Sequence, residues 1–146
     1  LDELVDELAV ALFAVTAALA IAAAFLYLWL RGLDGSVSDN RVATLFTFVL
    51  FASVPVSLAA GRWSDRTGRP IRPLALACAA ASLGLLAMAT AGQVTAGMAS
   101  YLLFGVAAAV FLALHSSQTL RVLPHPRHRG RDLGFFNLTN TIPALV

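Results

Sequence analysis

The sequence predicts an all-α integral membrane protein, a bundle of four complete transmembrane helices with the start of a fifth. Two observations carry this. Hydrophobic residues make up 59% of the 146-residue chain and charged residues only 12%, with a mean hydropathy of +0.80. A water-soluble domain of this size would expose much of that apolar surface and aggregate. The charges are also absent from long runs: 8–30, 42–61 and 73–120 contain no Asp, Glu, Lys or Arg. A helix rising about 1.5 Å per residue needs roughly 20 residues to cross hydrocarbon about 30 Å thick. The first two runs fit one crossing each, and the third fits two with a turn between them.

The elements follow in order. Leu1, Leu4, Val5 and Leu8 recur at helical spacing opposite four acids, which gives a short amphipathic helix or the first turns of the span behind it. The first span covers about 8–30. Residues 31–41 (R-G-L-D-G-S-V-S-D-N-R) read as a loop. The second span covers about 42–60, with Pro55 inside it and a kink expected there. A charged hinge at 61–72 follows, and Pro73 is suited to open a third span over 73–90. The stretch A-G-Q-V-T-A-G makes a turn, and the fourth span runs over about 98–120. A basic loop at 121–132 leads into a fifth helix at 133–146, too short to cross. A chain that begins at Leu and stops within a helix reads as a fragment of a longer polypeptide. A complete short membrane protein, acting as a non-transporting scaffold or assembly subunit, is the alternative.

Loop charge sets the orientation. The 62–72 loop holds four Arg and the 121–131 loop four Arg with His125 and His128, against two Arg in 31–41 and none in 91–97. The positive-inside rule then places both Arg-rich loops, and the N-terminal end, in the cytoplasm. Alternating crossings satisfy this without conflict. All ten basic residues are Arg, which reads as the compositional bias of a GC-rich bacterial genome. Their concentration at helix ends is explained by topology, so nucleic acid is not an expected partner. The acidic N-terminal residues do not suit a cleavable signal.

Chemistry-bearing clusters are few. Asp65 in the hinge lies within reach of Arg62, Arg66 and Arg69, and near the start of a helix its charge would be favoured by the dipole. Gly61 would allow a neighbouring helix to approach, and Gly68 a turn with positive φ. The fourth span ends H-S-S-Q-T and the fifth helix carries Asn137, Thr139, Asn140 and Thr141. Polar groups at membrane depth need partners or a water-filled path. His115, Gln118, Asn137 and Asn140 are therefore candidates either for a hydrogen-bond cluster joining two helices or for a substrate or proton path. His115 is the best placed to titrate near neutral pH. His125 and His128 stand among arginines unsuited to a cation, so no metal site is expected. No catalytic triad, cysteine cluster, phosphate-cradling loop or paired carboxylate occurs in the spans, so neither an enzyme nor a cofactor is expected. Spacings such as Ala14-Ala18-Ala22, Ala80-Gly84 and Gly105-Ala109-Ala113 suit close helix packing.

The hinge pattern G-x-x-x-D-R-x-G-R, formed by Gly61, Asp65, Arg66, Gly68 and Arg69, resembles the loop after the second helix of each six-helix half in the major facilitator superfamily. It departs at Pro70, where a basic residue is more usual, with Arg72 two positions on. Residues 129–143 (R-G-R-D-L-G-F-F-N-L-T-N-T-I-P) are similar to a stretch between the fourth and fifth helices of the C-terminal half in bacterial sugar-transporter-like members. The fourth span lacks the Arg usual in an N-terminal half, so the resemblance implies helices seven to eleven of a twelve-helix carrier. It further implies a secondary active transporter in the bacterial inner membrane, moving a small polar solute by alternating access. A proton or sodium ion would be the coupling species, and the lipid bilayer and the remaining half of the transporter would be partners. Gly61, Asp65, Arg66, Gly68 and Arg69 would form its cytoplasmic gate. A helix-capping Asp65 with arginines serving topology alone is the plainer account.

Overall fold

A computed structural model describes residues 2–69 and 71–122, with side-chain surroundings for residues 7, 9–69 and 71–116. Four helices, α1 (Asp2–Leu33), α2 (Asp39–Thr67), α3 (Ile71–Thr90) and α4 (Val94–Val122), account for nearly all of it, and the described residues contain no strand. Each holds a stretch long and apolar enough to cross a membrane. The all-α membrane bundle expected from hydropathy is what the chain forms. The fifth helix expected at 133–146 lies outside the described residues.

Helix bounds differ from the expected ones mainly at the ends. The acidic opening continues directly into α1 from Asp2, so it is the head of the first span and not a separate helix. α2 reaches Thr67, seven residues beyond the expected end at Ala60. Residues 61–67, expected to open a loop, are therefore helical, and the described connection after them begins at Gly68 and Arg69. Nothing in G-R-W-S-D-R-T forbids helix, and one glycine in a helix interior costs only about 1 kcal/mol. The terminator is Gly68, whose φ of 60° is left-handed and whose N–H bonds the Ser64 carbonyl at 3.1 Å, a turn that residues with a Cβ adopt at a cost. α2 also continues through Pro55 as one element.

α4 is the hub. In its most apolar stretch 56% of residues are buried, against 11% in α1 and in α2. It packs against all three other helices, while α1 and α2 barely touch each other. Two apolar clusters result. Leu26 and Leu30 of α1, Val42 and Leu45 of α2, Ala81 of α3 and Tyr101, Phe104 and Ala108 of α4 form one. Leu74 and Ala77 of α3 join Val110, Phe111 and Leu114 of α4 in the other, with Ala11 and Ala60 against them. The second cluster joins the first turns of α1, the last of α2, the first of α3 and the last of α4, so these four helix ends share one end of the bundle.

Small residues let the helices close. A Cβ on Gly84 would lie 2.7 Å from the Phe104 backbone nitrogen, one on Gly105 2.8 Å from a Val49 methyl, and one on Gly97 2.9 Å from the Trp29 ring. Close backbone approach gains dispersion where lipid gives no hydrophobic drive between helices. Hydroxyls along the spans are satisfied within their own helix. Thr47 donates to Ala43, Ser53 to Leu50, Ser82 to Cys78, Ser100 to Ala96 and Ser116 to Leu112, at 2.7–3.0 Å. This removes the penalty of an unpaired polar group in hydrocarbon. Large apolar side chains such as Phe48, Leu50, Phe51 and Val54 point away from the bundle and are mostly exposed, an arrangement stable only against lipid or another apolar surface.

Candidate functional site

The end of the bundle that holds the α2–α3 elbow carries a cluster of four arginines and an aspartate. Arg62 and Arg66 lie one turn apart on α2, Arg69 sits in the elbow and Arg72 in the first turn of α3. All four are exposed, as is Asp65, while Ser64 between them is buried and accepts the elbow's closing bond. The motif positions Gly61, Asp65, Arg66, Gly68 and Arg69 thus fall within nine residues at one helix end. Gly68 has the positive φ expected of it.

Two details differ from expectation. Asp65 stands in the last turn of α2, not at the start of a helix. There the dipole presents its negative end, which disfavours a carboxylate, and the adjacent Arg66 is the residue that suits the position. A capping role for Asp65 at a helix N-terminus is therefore overturned. Around Gly61, no described atom lies within 4 Å of where a Cβ would be, so no described helix makes the close approach expected there.

His115 lies at the same end. It is 1% exposed on α4, and its ring tilts against that of Phe111, one turn earlier, at 5.6 Å between centroids. The side chain of Gln118 and the whole of Asn137 and Asn140 lie outside what is described. Grouping them with His115 therefore rests on the sequence. Among the described residues no three His, Cys, Asp or Glu converge as a metal site would require.

The opposite end holds a feature that the sequence reading passed over. The α1–α2 loop and the α3–α4 turn enclose an open recess of about 620 Å³ lined by Asp34, Arg41, Gln93 and Thr95 among others. The loop is ordered by its own polar groups. Ser36 N–H donates to Asp34 Oδ1 at 2.9 Å, and Val37 N–H to the Asp34 carbonyl at 3.2 Å. The Ser36 backbone N–H and then its hydroxyl hold the Asp34 carboxyl below its ordinary value, with a smaller contribution from Arg41. Beside it, Arg31 donates to the Tyr27 hydroxyl at 2.6 Å. The signal was available: alternating crossings bring these two polar connections to one face.

Comparison with known proteins gives one result. The family model described as Major Facilitator Superfamily matches residues 4–146. No curated protein and no solved structure matches the chain.

Proposed function

The chain belongs to the Major Facilitator Superfamily, and from that membership we propose that it is part of a secondary active transporter moving a small polar solute across the bacterial inner membrane. The observation that carries this is the coincidence of the family match over nearly the whole chain with a bundle whose glycine- and arginine-bearing elbow joins its second and third helices. Transport proceeds by alternating access, with these helices forming one wall of the path and the remaining half of the transporter the other. The four Arg at the elbow put that end in the cytoplasm by the positive-inside rule, together with the start of α1.

On this reading Gly61, Asp65, Arg66, Gly68 and Arg69 act as a cytoplasmic latch. Asp65 and the arginines are exposed at the bundle's end, where the partner half would meet them when the cytoplasmic side closes and leave them when it opens. His115, with Gln118, Asn137 and Asn140, contributes to the substrate or proton path near that face. A histidine placed this deep can exchange a proton with a path opened by helix movement.

The test is transport in cells expressing the intact protein, screened against sugars, small metabolites and drug-like cations with and without imposed proton and sodium gradients. Gradient-dependent movement of one class supports the carrier. A protein inserted normally in the membrane that moves none of them under any gradient rejects it.

A further inference from the structure

We infer that the chain binds one anionic glycerophospholipid, with an acyl chain lying in a groove between α2 and α3 and its phosphate held by the arginines of the elbow. This depends on the bundle being in a bilayer and not on solute transport.

The groove follows from the packing. α2 and α3 both rest on α4 but touch each other sparsely, which leaves a cleft of about 260 Å³ with α4 as its floor. Leu103, Val106, Ala107 and Val110 of α4 line the floor, while Ala60 of α2 and Ala77 and Ala80 of α3 keep the walls low, Ala77 and Ala107 being buried. The rims are large and open, with Trp63 of α2 41% exposed and Leu76 of α3 58%, and Leu103 of the floor is itself 45% exposed. Lining residues run from 56 to 63 on α2 and from 73 to 80 on α3, antiparallel, so the cleft follows the helix axes for about 10 Å. An open apolar cleft of this length can take a stretch of hydrocarbon chain.

Charge selects the occupant. Toward the elbow the cleft lining stops at Trp63 and Pro73, and their chain neighbours Arg62 and Arg72 are exposed. Residues 62–72 carry four Arg and one Asp, a net +3 (4 − 1). A second copy of the chain seated here would bring like-charged elbows together. A lipid with an anionic headgroup instead meets arginine at the phosphate, an aromatic at the glycerol level and apolar walls along its chain. These are the three recognition elements of a membrane interface, here converging on one cleft.

The experiment is native mass spectrometry of the intact protein in detergent, titrated with dioleoyl phosphatidylglycerol and dioleoyl phosphatidylcholine. Phosphatidylglycerol should be retained preferentially as a single adduct. Arg62→Gln with Arg72→Gln should weaken it roughly tenfold or more without changing the phosphatidylcholine signal. Leu103→Trp should fill the cleft and abolish the adduct at unchanged thermal stability. If that variant does not fold, Leu76→Trp on the more exposed rim fills the same space. Glycerol 3-phosphate, which has the anion without the chains, should not displace the lipid. Equal retention of the two lipids, an adduct indifferent to both tryptophan variants, or displacement by glycerol 3-phosphate would each overturn the proposal.

Discussion

Gly84 and Phe104 touch backbone to backbone, so that a Cβ on Gly84 would lie 2.7–2.8 Å from the Phe104 nitrogen, Cα and Cβ. None of these atoms can swing aside, because two are main chain and the third is fixed to it. Gly84→Ala should therefore push α3 off α4 and cost about 1–3 kcal/mol. Gly97→Ala meets the far end of the Trp29 ring, which can rotate, and should cost less. Gly61→Ala, with no described atom nearby, should be neutral or gain up to about 1 kcal/mol from helix propensity. Thermal melting of the three variants in one detergent checks the order, and an equal loss at all three would refute it.

The elbow turn makes a second prediction. Gly68 has φ 60°, where a Cβ costs about 1–2 kcal/mol. Gly68→Ala should lower stability by that amount and Gly68→Asn by less, since Asn tolerates the left-handed region. A Gly68→Ala protein as stable as the parent would mean that the turn is not held in this conformation.

The latch is tested at Asp65. Asp65→Asn keeps the size of the side chain and removes its charge, so membrane abundance should stay near normal while transport slows. Uptake at the parental rate would leave the elbow as a topological marker only.

Orientation can be read by chemistry. In a Cys78→Ala background, Ser38→Cys and Thr95→Cys should react with an impermeant thiol reagent added outside intact cells, and Thr67→Cys should not. Ser38, Thr95 and Thr67 are all exposed on the bundle, the first two at the end opposite the third. Reversed labelling would turn the protein over in the membrane.

The loop at the other end has a pH signature. The Ser36 hydrogen bonds lower the Asp34 pKa from its ordinary 3.8, so they stabilise the turn above the unfolded value and are lost as pH falls through the folded one. The contribution is thus present at neutral pH and disappears only in acid below 3.8. A carboxyl-carbon titration with a midpoint at or above that value would show that the Ser36 bonds do not form.

Much of this fold was legible because lipid imposes a crude rule on sequence: charge-free runs of the right length become helices. The rule says nothing about where a helix stops once it leaves the hydrocarbon. α2 therefore carried on past Gly61 until Gly68 turned it, and Asp65 moved from an expected helix start to a helix end. The stripe from Ala80 to Gly84 announced close packing but not its partner, since the choice of Phe104 depends on how α3 and α4 cross. His115 could be placed near one face from the sequence. Its full burial against Phe111 follows from the position of α4 at the centre, which no local pattern encodes.

The central place of α4 also has a consequence for biogenesis. Chains are synthesised from the N-terminus, and α4 is the last of these four helices to leave the ribosome. Because α1 and α2 share almost no contact and α2 and α3 touch only sparsely, the earlier three helices make few of their contacts with one another before α4 arrives. Packing of these helices then hinges on the arrival of one late segment, so truncating synthesis before Val94 should leave the first three inserted but loosely packed, exposed to quality-control proteases.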